Sequence, residues 1–177
     1  MSIDQERYLP EMVRHVLYEV DEFRKDIERW QKLDKNDALW NSALEVALLH
    51  FRVLREFFLE CPKNEGRDVC ASYYVSDWEN KTKDARAKYS VLEKCFINRV
   101  HRRLAHLTTE RVSDKDTTWK RGEMLEATES LICSFKDSLA PPKSEWFAEL
   151  KCRRIKQIVG DVSPGTESRT TYSFQFD

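Results

Sequence analysis

The sequence predicts an all-α protein, and three observations predict it. Four glycines and five prolines in 177 residues are fewer turn residues than an all-β sandwich or barrel needs. Charged residues make up 34% of the chain, and apolar residues recur at steps of three and four, the spacing of one helix face. We therefore expect one domain over residues 1–159, built as an antiparallel four-helix bundle with a fifth, shorter helix.

The first predicted helix covers about six turns near the N-terminus. Its outward positions alternate between acidic and basic residues, as on a solvated helix face. Pro10 is expected in the first turn, where a proline is tolerated. The apolar stripe consists of Leu9, Val13, Val16, Val20, Phe23, Ile27 and Trp30.

The second predicted helix begins after a cap at Asn36 or Asp37 and ends near Glu60, before Pro62. Two apolar stripes run along it, so it should lie at the centre of the bundle. Residues 61–82 follow without clean periodicity but with many aromatic side chains. They predict a loop packed over the bundle.

Three further helices are predicted in the rest of the chain, over residues 82–107, 117–139 and 144–159. Pro141 and Pro142 end the second of these, because proline cannot continue a helix. Residues 160–177 are rich in serine and threonine and predict a disordered, flexible tail.

Composition and charge exclude several classes of function. The net charge of −1 gives no global basic field that would indicate a nucleic-acid-binding chain. The sequence has no apolar run of about 18 residues, the length that spans a membrane. Its polar N-terminus is unlike a signal peptide, so we expect a cytoplasmic protein. Glycine-rich phosphate loops and nucleophile elbows are also missing, so nucleotide hydrolysis and acyl transfer have no support and no cofactor is expected.

The five cysteines are odd in number and scattered, with no C-x-x-C pair. A disulfide framework or a structural zinc site is therefore not expected. Cys95 and Cys133 fall inside apolar helical patterns and are interpreted as small core residues.

His50 occupies an apolar position of the second helix, where an aliphatic side chain would be expected. Buried polar groups are normally paired, so the simpler interpretation is a core histidine bonded to a carboxylate or a carbonyl. The alternative is a functional histidine in a polar pocket.

A second unusual feature is the basic window over residues 98–111. Helical spacing puts Arg99, Arg103 and His106 on one line, and Arg102 on a neighbouring line that shares the histidine. Such a cluster suits phosphate, because guanidinium groups bind its oxygens in pairs. The competing interpretation is a solvated helix end, where cations favourably oppose the helix dipole.

Three short sequence motifs and a tryptophan stand out over residues 40–120. They are HFRxLxxFF from His50, DVxAxxY from Asp68, RRLAHLTxxR from Arg102, and Trp119. Together they resemble a widespread family of small bacterial all-α proteins without an established activity, although His101 stands where that pattern has asparagine. The resemblance implies that six side chains converge in space, namely His50, Arg52, Asp68, His106, Thr108 and Arg111. We expect the polar pocket that they form to be structural or to hold a small anion.

Arg99 followed seven residues later by His106 is also similar to the signature of the HEPN class of helical-bundle ribonucleases. That similarity implies a homodimer in which the histidine is the general base on the RNA 2′-hydroxyl. The arginine, at Arg99 or Arg102, would stabilise charge on the scissile phosphate.

A third interpretation is a metal site from His15, His50 and His106, which come from three predicted helices. Three inward histidines can hold Zn²⁺ or Ni²⁺. No H-x-x-x-H or E-x-x-H pair supports this interpretation, so no metal is expected.

The sequence alone does not name a reaction. The leading hypothesis is a cytoplasmic helical-bundle protein that acts by binding, with an unknown partner. A phosphate-containing ligand or RNA would meet it at the basic window around His106. The alternatives are the dimeric, metal-independent ribonuclease and the three-histidine metal site.

Overall fold

The computed structural model describes residues 3–60, 68–105, 119–158 and 171–176. This part of the chain is predominantly helical, as predicted. The α-helices are α1 (Ile3–Lys32), α2 (Trp40–Leu59), α3 (Trp78–Lys81), α4 (Lys83–Lys88), α5 (Lys94–Ala105), α6 (Arg121–Ser138) and α7 (Lys143–Trp146). Two 3₁₀ turns lie at Ala71–Tyr73 and Ser90–Leu92, and the strands are β1 (Arg153–Ile158) and β2 (Thr171–Phe176). None of the described helices has the length and the apolar character needed to cross a membrane.

Helices α1 and α2 form an antiparallel pair. Trp30 packs edge-on against Trp40 with ring centroids 5.9 Å apart, and Phe23 lies 6.2 Å from Phe51. The whole predicted stripe of α1 is buried, which confirms its assignment as the core face. Because α1 already begins at Ile3, Pro10 lies inside the helix rather than in its first turn.

Helix α5 runs in the same direction as α2. Phe51 packs against Phe96 at 5.9 Å, and Glu56, further along α2, faces His101, further along α5. The antiparallel four-helix arrangement is therefore not confirmed. The 3₁₀ turn before α5 lies beside the second half of α2, since Arg55 Nε donates to the Leu92 carbonyl at 3.0 Å.

Helix α6 runs opposite to α1. Arg24 pairs with Glu129, whereas Arg121, at the start of α6, donates to the carbonyl oxygen of Trp30 at 3.0 Å. The Arg121 guanidinium also lies 5.0 Å from the centroid of the Trp30 ring. It thereby supplies a donor to a carbonyl in the last turn of α1, where intrahelical partners are missing.

The single helix predicted over residues 82–107 is wrong. The chain leaves helical geometry at Tyr89, which is extended with φ −110° and ψ 111°. Ser90 and the backbone N–H of Val91 both donate to the Glu123 carboxylate on α6, at 2.8 and 3.2 Å. A side chain from a distant helix thus bonds the amide that a continuous helix would use internally.

Residues 68–82 cover one end of the core. The Tyr74 hydroxyl donates to the Leu9 carbonyl at 3.0 Å, and the Trp78 indole N–H donates to the Phe58 carbonyl at 2.5 Å. Burial raises the pKa of the Tyr74 phenol well above its usual range. The aromatic residues of this stretch therefore tie it to α1 and to the C-terminal end of α2.

The prediction for the C-terminal part is wrong in two respects. The fifth helix, expected over residues 144–159, ends at Trp146, and the chain then forms β1. Within the tail expected to be disordered, Thr171–Phe176 form β2, which pairs antiparallel with β1 from Arg153 opposite Phe176 to Ile158 opposite Thr171. The rest of that tail lies outside the described residues. Local periodicity does not report a pairing between segments so far apart in sequence.

The cysteine predictions are also corrected. Cys133 on α6 and Cys152 before β1 form a disulfide with Cα atoms 4.9 Å apart, which is within the normal range for such a bond. Cys95 is exposed rather than buried in the core, whereas Cys70 is buried. An odd count excludes the pairing of all cysteines, but it does not exclude one pair brought together by the fold.

Candidate functional site

Helix α5 carries the candidate site. It contributes four basic residues and a histidine but no acidic residue over Lys94–Ala105. Ile97 and Val100 are buried against the core, whereas Lys94 and Arg102 are exposed. The helix therefore turns an apolar face inward and a basic face outward.

Arg99 lies against an aromatic ring. Its guanidinium carbon is 4.7 Å from the centroid of Trp119, and Trp119 in turn packs edge-on against Phe96 at 6.0 Å. Arg99 and Trp119 are both half-buried. Such a cation–π contact orients the planar guanidinium at the edge of the solvent.

Arg52 reaches the same side of the molecule from α2. Its Nε donates to Glu56 Oε1 at 2.8 Å, and His101 Nε2 lies 3.8 Å from the same oxygen. All three side chains are about one-third exposed. Glu56 therefore links Arg52 to the basic window, although at His101 rather than at His106.

Lys120, the residue after Trp119, pairs with a carboxylate of α6. Lys120 donates to Ser90 Oγ at 2.7 Å and lies 3.2 Å from Glu123 Oε2. Partial burial alone would raise the pKa of Glu123, but hydrogen bonds from Ser90, Lys120 and the Val91 amide together hold this pKa below its usual range. This network joins the 3₁₀ turn to α6, and Lys120 adds little charge to the α5 side.

His50 faces away from this site. Its Nδ1 lies 2.7 Å from Glu19 Oε2 and its Nε2 lies 3.6 Å from Asp26 Oδ2, both on α1. The Tyr18 ring packs edge-on against it at 6.3 Å. This buried histidine, 9% exposed, is thus a core residue bonded to a carboxylate, and it does not meet Arg52, which points to a different side of α2.

We expect His50→Ala to lower the free energy of unfolding by about 1–3 kcal/mol, because it leaves Glu19 and Asp26 without their shared partner. Urea denaturation followed by circular dichroism measures the change. His15→Ala, at an exposed position of α1, is the matched control and should change the value by less than about 0.5 kcal/mol. Equal stability of the two variants would contradict a structural role for His50.

The remaining residues of the predicted pocket divide into two groups. Asp68 is described and exposed, and no hydrogen bond or ion pair joins it to His50 or Arg52. His106, Thr108 and Arg111 lie outside the described residues. Their convergence with the other members stays a prediction.

Metal binding finds no support in the described part of the chain. No group of three or more histidine, cysteine, aspartate or glutamate side chains is placed there to hold an ion. His15 is exposed, and its Nε2 accepts a hydrogen bond from Arg14 at 3.4 Å. It therefore does not join the buried His50.

Sequence reasoning missed Glu56 and did not explain Trp119. Glu56 lies four residues after Arg52, the helical spacing at which an ion pair forms, so a local signal was present. Trp119 belonged to the resemblance, but it lies twenty residues after Arg99 in the sequence. That contact carried no local signal.

No protein-family model, curated protein or solved structure matches the chain. Both resemblances drawn from the sequence therefore stay predictions. The class of molecule that the fold and the site define is a predominantly helical protein with a basic, partly aromatic helix face.

Proposed function

We propose that this protein acts by binding, and that its ligand is the phosphate backbone of RNA. The binding surface is the α5 basic face, formed by Arg52, Arg99, His101 and Arg102. The observation that carries the proposal is the charge of α5, which presents cations and no acid on a chain with a net charge of −1. A local basic surface on a neutral protein concentrates phosphate at one place.

The chemistry of the face suits this ligand. Arginine presents paired N–H donors that match two phosphate oxygens. Trp119 holds the Arg99 guanidinium from one side, which reduces the side-chain freedom that would be lost on binding. Glu56 is an acidic residue that touches this face through Arg52 and His101, and among the four residues that form the face three are arginines.

Charge reversal at Arg102 should weaken RNA binding. With a fluorescently labelled single-stranded RNA of twelve nucleotides, Arg102→Glu should raise the Kd by on the order of tenfold. It should also reduce the slope of log affinity against log salt by roughly one, as expected when one phosphate contact is lost. Fluorescence anisotropy at several salt concentrations measures both quantities.

Arg14→Glu is the matched control, because Arg14 is an exposed arginine of α1 and receives the same change of charge. It should bind RNA as the unaltered protein does. Equal weakening by both variants would show a general charge effect and would reject the α5 basic face. A titration with inorganic phosphate separates a small-anion site from a backbone site, since only a small-anion site would saturate with phosphate alone.

A ribonuclease is the second candidate function, favoured by the position of Arg102 on the helix that leads to His106. The same RNA on a denaturing gel separates the two candidates. Cleavage that disappears in His106→Ala would support a HEPN-like enzyme acting as a dimer. Intact RNA, or equal cleavage by the variant, would reject the enzyme and leave the binding function.

A further inference from the structure

The chain entering β1 is fixed at three consecutive residues. The Lys151 carbonyl accepts a hydrogen bond from Arg24 at 2.7 Å. Cys152 is joined to Cys133 by the disulfide, and Arg153 pairs with Glu28 at 3.0 Å. We call residues 151–153 the C-terminal anchor, because the β1–β2 hairpin continues from it.

The anchor lies against a buried ion pair. Arg24 makes two hydrogen bonds of 2.7 Å to the Glu129 carboxylate, and the two side chains are only 5% and 2% exposed. Glu129 and Cys133 are four residues apart on α6, so they share one face of that helix. The disulfide thus lies close to a buried pair of charged groups.

This arrangement lowers the free energy that is needed to open the anchor. Lifting an apolar segment exposes hydrophobic surface to water, which costs free energy. Lifting the anchor exposes Arg24 and Glu129, and their hydration recovers part of the desolvation cost of burying two charges. The disulfide is the one covalent link that opposes such opening among the described contacts of the anchor.

We propose that Cys133–Cys152 is a reversible redox site that controls whether the C-terminal hairpin stays attached to α6. The reductant is a dithiol. One of its thiolates attacks a sulfur of the pair to form a mixed disulfide, and its second thiol then displaces the protein sulfur. Two electrons and two protons pass to the protein, which leaves Cys133 and Cys152 as thiols and the reductant as a disulfide.

Reduction leaves the non-covalent contacts of the anchor and of β1 with α6, among them those from Arg24 and Glu28. The hairpin then opens more often, since a two-stranded sheet has little stability of its own. In a reducing compartment the hairpin is therefore held loosely, and in an oxidising one it is fixed.

Thiol counting and hydrogen exchange on the full chain, with and without dithiothreitol, test the proposal. Mass spectrometry after alkylation of the denatured protein should show two more labelled cysteines in the reduced sample. Amides of residues 153–158 and 171–176 should exchange at least about tenfold faster after reduction, while those of α2 keep their rate. An unchanged number of labels, or an unchanged exchange rate in the hairpin, would overturn the proposal.

Three variants sharpen the test. The double variant Cys133→Ser, Cys152→Ser should exchange like the reduced protein and should not respond to dithiothreitol. Cys95→Ser, at an exposed free cysteine, should behave like the unaltered protein. Glu28→Gln removes the ion pair with Arg153. It should accelerate amide hydrogen exchange in the hairpin further only in the reduced state. Equal acceleration in both states would show that the disulfide does not control the anchor.

Discussion

Glu129→Ala should lower the free energy of unfolding by about 3–5 kcal/mol, the usual effect of removing one partner from a buried ion pair. Glu129 is 1% exposed, and Arg24 remains 4% exposed beside it. Without the carboxylate, the Arg24 guanidinium keeps its bond to the Lys151 carbonyl but loses both bonds to its counter-ion. A buried charge without compensation favours the unfolded state, in which water solvates it. Urea denaturation of the oxidised protein measures the loss.

Two further variants show whether the charge or the lost volume is responsible. Glu149→Ala changes an exposed glutamate and should alter the stability by less than about 0.5 kcal/mol. The double variant Arg24→Met, Glu129→Leu removes both charges but keeps apolar bulk, and it should recover most of the lost stability. If the double variant were as unstable as Glu129→Ala, the ion pair would not be the cause.

The sequence predicted best the helices that pack against apolar neighbours and carry an uninterrupted apolar stripe. The seam of α1 from Leu9 to Trp30 is an example, because each position is buried against a neighbouring element. The prediction of a single helix over residues 82–107 was wrong because of a distant side chain. Glu123, more than thirty residues further along the chain, accepts hydrogen bonds from the Ser90 hydroxyl and the Val91 backbone N–H. Periodicity reports which face is apolar, but it does not report which distant side chain competes for the backbone.

The same limit applies to the candidate site. His50 was recognised as unusual from its place in an apolar stripe, and the expectation that a core histidine is bonded to a carboxylate agrees with its contacts to α1. The partners themselves, Glu19 and Asp26, could not be named, since they depend on how α1 and α2 are aligned. Arg52 lies two residues after His50, which on a helix points it to another side. One pocket that contained both side chains was therefore disfavoured by helix geometry alone.

Phe135→Ala should lower the free energy of unfolding by about 3–5 kcal/mol, the range for removing a large aromatic side chain from a core. Phe135 is fully buried on α6. Its ring centroid lies between 5.1 and 6.0 Å from those of five other aromatic rings, and all five contacts are edge-on. These neighbours are Phe57, Phe58, Tyr74, Trp78 and Phe147.

The large effect follows from how many separate elements meet at this ring. The neighbours come from α2, from residues 68–82 and from the segment after α7, so no single element can move inward to fill the cavity without losing other contacts. Tyr8→Ala, at a side chain that is 54% exposed, is the control and should change the stability by less than about 0.5 kcal/mol. Phe135→Leu keeps most of the side-chain volume, so its loss of unfolding free energy should be less than half that of Phe135→Ala. A loss as large as that of the alanine variant would show that ring contacts, rather than filled volume, stabilise this part of the core.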